Sequence, residues 1–183
     1  MTVTMGDNRY GKAGVHLVRV DRRPDGHRVR DLTVRVALEG DFADAHVTGD
    51  NALVVATDTM KNTVYAFARE ALDGSIEHYA IALASHHLLQ RQVHRATVWV
   101  DEQAWQAIDT GAGPAADAFA RSGMLTRTAM VAVEAAGLVV EAGIEDLAVM
   151  KTAGSSFAGF PRDRYTTLAE TDDRIMATRV SAT

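Results

Sequence analysis

The chain has 183 residues, a formal net charge of -5, and 47% hydrophobic residues. That composition suits a globular domain with a buried core and gives neither the basic face that nucleic acid requires nor a basic cluster for a membrane surface. No cysteine is present, which excludes disulfides, thiolate metal sites and a cysteine nucleophile and fits a cytoplasmic protein; Met1–Tyr10 is polar, and no run approaches the roughly 18 apolar residues of a membrane span.

In chain order, Val15–Val20 is apolar and β-branched, and Leu32, Val34, Val36 and Leu38 alternate with Thr33, Arg35 and Ala37. The period of two predicts strands with one buried face, joined as a hairpin by the turn Pro24-Asp25-Gly26. Gly49-Asp50-Asn51 breaks the pattern before the short apolar run Leu53–Ala56. Thr57, Asp58 and Thr59 are predicted N-cap residues of a helix whose apolar face is Met60, Val64, Phe67 and Ala71. Asp73-Gly74-Ser75 ends that helix and caps a second one, with Ile76, Tyr79, Ala80, Leu83 and His87 on one face. Strands are predicted at Ala96–Val100, Met124–Glu134 and Leu138–Lys151, with a turn at 135–137. The stretch 109–122 reads as a loop with a short helical turn near Pro114, and 152–171 as irregular. A last strand begins near Ile175.

These elements predict an α+β domain: a four-stranded antiparallel sheet with two helices on one face, in the order β-β-α-α-β-β. It spans residues 10–183, with 1–9 as a tail. Such a sheet leaves two edges exposed, and self-association is the natural way to cover them.

Standard motifs are lacking: the sequence contains no HExxH, P-loop, GxSxG or GxGxxG. His86, His87 and His94 have no metal-ligand pattern, and Glu134, Glu141 and Glu145 read as solvent-facing. Two stretches are unusual. Val55–Thr63 reads either as a capped helix start or as an anion site at a helix N-terminus, where a hydroxyl could pass a proton to a neighbouring amine. The only lysines are Lys12, Lys61 and Lys151. The second stretch, Gly154–Asp163, sets Phe157 and Phe160 in a Gly-rich loop, either to stack a flat ligand or to anchor the loop to the core. Arg174 follows, free to grip a planar polar edge or to pair with Asp172 or Asp173.

These stretches resemble the urate oxidase (uricase) family. Tyr10-Gly11-Lys12 is similar to its YGK opening, Leu38–Phe42 to LxGDF, Gly49-Asp50-Asn51 to GDN, and Val54–Tyr65 to its diagnostic VVATDTMKNTVY run. Gly143–Leu147 with Lys151-Thr152, Phe157–Leu168 and Asp173–Thr178 resemble its GIxDLxVLKxT, FxGFxRDxYTTL and DRIxAT segments. The likeness runs from Tyr10 onward and is weakest between Asp73 and Met124. Ala158, Arg164 and Ser122–Arg127 depart from the family's usual residues.

The resemblance implies the tunnelling fold (T-fold) and oxidation of urate by O2 to 5-hydroxyisourate and hydrogen peroxide, without a metal or organic cofactor. It implies a proton-relay pair of Lys12 and Thr57, and main-chain ligand contact at Asp58. Phe157 stacks on the purine, Leu168 lines the pocket through its backbone, and Arg174 grips the urate edge. The expected assembly is a homotetramer with active sites between subunits. Family chains continue through a second T-fold unit that supplies a glutamine, an asparagine and a histidine. This sequence resembles the first unit alone, so it is expected to be a fragment, a split-enzyme subunit or a truncated descendant. The alternative function is a non-catalytic T-fold assembly or purine-binding protein. A pterin enzyme on the same fold lacks support, since neither a zinc-ligand set nor a pterin-gripping glutamate is present.

Overall fold

The computed structural model describes residues 5–183; of the expected tail, 1–4 lie outside the described residues. The chain runs β1 (Arg9–Asp21), β2 (Arg28–Gly40), α1 (Ala43–Val47), α2 (Thr57–Ala71), α3 (Ile76–Leu88), β3 (Val93–Asp109), β4 (Pro114–Glu134), β5 (Gly137–Phe157) and β6 (Thr171–Ala182). The strands form one antiparallel sheet in the order β1-β2-β3-β4-β5-β6.

The four-stranded sheet of order β-β-α-α-β-β is therefore corrected to six strands with three helices among the described residues. The α+β class and the helical insertion between the second and third strands stand. Each of the six strands overlaps a segment read as a strand from its sequence, so the correction lies in all six joining one sheet; what the pattern missed is the length of β4 and β5, whose outer parts carry little period-two burial. Residues 114–122 and 152–157 pair in β4 and β5 rather than forming loops, yet their side chains are mostly exposed or half-buried. Backbone ladders hold them, and a ladder leaves no hydrophobic signature. Helix α1 is a single turn with no buried residue, so it too gave no amphipathic signal.

The core lies between the helices and one face of β1–β4. Leu32, Val34, Val36 and Leu38 of β2 meet Ala96, Val98 and Val100 of β3 and Ala129 and Val131 of β4, all buried. Met60 and Val64 of α2 and Ile76, Tyr79, Ala80 and Leu83 of α3 close over them. Ala68 completes the buried stripe of α2, while Phe67 and Ala71 pack at its margin. Burying each large apolar side chain contributes about 1.5–3 kcal/mol. Ser75 caps α3 as expected, accepting from the His78 N–H at 3.2 Å.

Two arginines tie the helices to the sheet. Arg19 and Arg30 are directly paired across β1 and β2. Arg19 donates to the Ala68 carbonyl at 2.9 Å, and Arg30 donates to the Leu72 and Gly74 carbonyls at 3.0 Å. Both therefore satisfy carbonyls left open where α2 ends.

His87 of α3 is 1% exposed. The Thr63 hydroxyl donates its one hydrogen to the Met60 carbonyl at 2.8 Å. At 3.2 Å from His87 Nε2 it therefore accepts, which places the imidazole proton on Nε2. Burial, reinforced by the neighbouring His86, pushes the His87 pKa down to about 4. The unfolded chain then binds the extra proton first. Stability is full above about pH 6.5 and is expected to fall by up to about 3 kcal/mol as pH drops toward 4. Urea midpoints measured from pH 7 to 4.5 check this, with His87→Gln expected to flatten that slope.

Candidate functional site

A bulge in β1 decides where Lys12 points. Tyr10 and Lys12 pair with Leu38 and Val36, and Val15 and Leu17 pair with Val34 and Leu32. Three steps on β1 thus oppose two on β2, with Gly14 at φ 66° supplying the left-handed residue. All four β2 partners face the helices. Without the extra residue Lys12 would lie on the opposite face from Val15 and Leu17; with it, Tyr10 and Lys12 face α2.

Gly11 lies between them, where a Cβ would stand 1.9 Å from the Val36 carbonyl oxygen. Gly11→Ala is expected to force β1 away from β2 and to cost about 2 kcal/mol, read as a lowered thermal midpoint. An unchanged midpoint would show that β1 yields there freely.

Helix α2 opens with Thr57, not with Thr57 as its cap. Ala56 holds the N-cap position without a side-chain cap, so among the described residues the N-terminal N–H groups have no side-chain acceptor. Asp58 pairs instead with Lys61 at 2.7 Å and accepts from Asn62 at 3.0 Å. Its pKa is held below the usual carboxylate value first by Lys61, then by Asn62, and further by the charge of Lys12. Lys12 thus lies on the side of β1 that faces α2, with its charge within range of Asp58 in the first turn. A cleft of about 380 Å³ is lined by residues 9–13 of β1 and 35–37 of β2, with no residue of α2 in its lining.

Phe157, Leu168 and Arg174 lie elsewhere. Phe157 ends β5 and is 41% exposed. Phe160 stacks on it, with ring centroids 4.7 Å apart and planes within 10°. Phe160 therefore supports Phe157 rather than anchoring the loop in the core. The Arg174 guanidinium of β6 lies 5.2 Å from the Phe157 ring centroid. Asp173 is engaged by the Gly154 N–H at 2.5 Å. Exposed Leu168 lies between β5 and β6, beyond a turn in which Asp163 accepts from the Tyr165 N–H at 2.8 Å.

The two groups sit at opposite edges of the sheet, β1 against β5–β6. At about 4.8 Å per strand, β1 and β6 are separated by roughly 24 Å along the sheet. One copy of the chain does not bring the six residues together.

Sequence reading missed a cluster on the face away from the helices. Asp31 binds the His16 Nε2 at 2.7 Å and accepts from the Trp105 indole at 2.9 Å. These residues are 15 and 74 positions apart in sequence, so only strand register could reveal them. No group of three or more His, Cys, Asp or Glu side chains among the described residues is placed to hold a metal ion. No described helix is long and apolar enough to cross a membrane.

An antiparallel sheet covered by helices on one side, with polar and aromatic groups at both edges, defines an α+β protein, and the likeness to solved structures makes it one of the tunnelling-fold type. Solved structures agree. A crystal structure of uricase from Arthrobacter globiformis superposes with a TM-score of 0.86 at 44% identity, covering 99% of this chain and 62% of that one. A uricase from Bacillus fastidious gives 0.79 at 29% identity, covering 98% and 64%. The family model described as uricase matches residues 8–132 and 140–183. The chain belongs to the uricase family. It is 46% identical to the Arthrobacter globiformis uricase over 98% of this chain and 58% of the relative, and 44% identical to the Dictyostelium discoideum uricase over 98% and 64%. The chain spans about 60% of the length of these relatives.

Proposed function

We propose that this chain is the first T-fold unit of a urate oxidase and oxidises urate once a second unit completes its site. The observation that carries the reading is the uncapped N-terminus of α2 beside Lys12. Open N–H groups and helix-dipole charge favour a planar anion, and an amine beside a hydroxyl can take its proton. Lys12 and Thr57 remove the proton from the urate monoanion, and the main chain at Thr57 and Asp58 holds its edge. Phe157 stacks the ring, Arg174 donates bidentately to the far edge, and Leu168 lines the pocket.

The electron-rich dianion reduces O2, and water adds to the oxidised ring. Urate, O2 and water give 5-hydroxyisourate and hydrogen peroxide in balance. No metal or organic cofactor is required, because the substrate supplies both electrons. Orientation and charge stabilisation are the protein's contribution.

The residues lie at opposite sheet edges, so the site forms where β1 of one unit meets β6 of another. Open edges favour such pairing. The assembly is a homo-oligomer, a tetramer in the family pattern, or a complex with a second T-fold half that adds the glutamine, asparagine and histidine. The cysteine-free sequence fits a cytoplasmic location.

Urate-dependent oxygen uptake with peroxide detection tests the reading on the purified chain, alone and with the second half of a related enzyme. Turnover in either sample supports it. Urate binding with no turnover in both favours the non-catalytic purine-binding reading, for which the separated half-sites of one chain speak.

A further inference from the structure

The segment between α1 and α2 forms no helix or strand, yet it must deliver Thr57 to Lys12. Its apolar run is held at one point by a side chain from the sheet. The Tyr10 hydroxyl accepts from the Val55 N–H at 2.7 Å and donates to the Val55 carbonyl at 3.0 Å. One phenol oxygen thus satisfies both main-chain groups of a residue two positions before Thr57, as a neighbouring strand would. The ring is itself fixed, meeting buried Phe42 edge-on with centroids 4.6 Å apart and planes at 84°. Tyr10 stands two residues before Lys12 on the same face of β1. The two ends of the relay pair are therefore tied together through one side chain.

We propose that Tyr10 is a positioning residue that clamps Val55 to β1 and thereby sets Thr57 and Asp58 against Lys12; the kinetic part of this inference rests on the urate oxidase reading. Both hydrogen bonds of the Tyr10 hydroxyl go to the Val55 main chain. Tyr10 acts through the backbone of 55–57, and a misplacement of about 1 Å at a reacting group can lower turnover by roughly 10²-fold.

Tyr10→Phe keeps the ring against Phe42 and removes both bonds to Val55. In the isolated chain, hydrogen exchange at the Val55 and Met60 amides is expected to accelerate about tenfold or more, while amides of β2 and β3 stay unchanged. Unchanged exchange at Val55 overturns the clamp. In the completed enzyme, kcat is expected to fall roughly 10- to 100-fold. That loss is expected to vanish when Tyr10→Phe is made in a Thr57→Ala background, because the effect runs through Thr57. Losses that multiply independently overturn the positioning role, since a general weakening of the fold would act in both backgrounds. If the unaltered completed enzyme is silent toward urate, the functional reading fails, and the exchange measurement still decides whether Tyr10 is the clamp.

Discussion

Thr57→Ala is expected to lower urate turnover of the completed enzyme by roughly 10²–10⁴-fold, the usual loss when a proton-transfer group is removed. Thr57 is the first residue of α2 and caps nothing, so alanine, the best helix former, leaves the helix undisturbed. Thermal unfolding of the variant should therefore match that of the unaltered chain, which separates chemistry from folding. Thr57→Ser retains a hydroxyl and is expected to recover most of the activity. If oxygen uptake by Thr57→Ala equals that of the parent, Thr57 has no part in the relay and Lys12 acts on urate without it.

Arg30→Ala is expected to destabilise the chain by about 3 kcal/mol, the lower end of the range for breaking a buried ion pair. Arg30 donates through Nε to Glu102, and both side chains are largely buried. Removing it leaves Glu102 with Arg127 at 3.2 Å and frees the carbonyls of Leu72 and Gly74 where α2 ends. For a chain of this size the loss corresponds to a midpoint lower by roughly 6–12 °C. The double change Arg30→Met with Glu102→Leu removes both charges and is expected to restore most of the stability. A single variant that unfolds at the parent temperature would show that Arg127 alone neutralises Glu102.

How much was legible in the sequence followed from which signals are local. Leu32, Val34, Val36 and Leu38 alternate strictly, and all four are buried against the helices. Ser75 announces α3 and caps it. Residues 114–122 and 152–157 carry no alternation because no helix covers them, and so they read as loops. Thr57 read as a cap by residue type, whereas the chain enters α2 one residue earlier and leaves the hydroxyl for another use.

The candidate site divides in the same way. Lys12 drew notice as one of three lysines, and Phe157 and Arg174 as an aromatic and a cation near a Gly-rich loop. The clamp from Tyr10 to Val55 joins residues 45 apart, and the Asp31 cluster joins strands by register alone. Neither has a spacing that a linear pattern could expose.

By itself, then, the sequence determined the α+β class, the buried face of β2, the two long helices and the motifs that carry the family likeness. Each of these is written in residue type at short spacing. Tertiary structure alone decided that all six strand segments join in one sheet, that an extra residue near Gly14 turns Lys12 toward α2, and that Phe157 and Arg174 lie at the far edge from Lys12 and Thr57. Strand pairing and register are relations between distant segments, and they are fixed only when the backbone hydrogen bonds form.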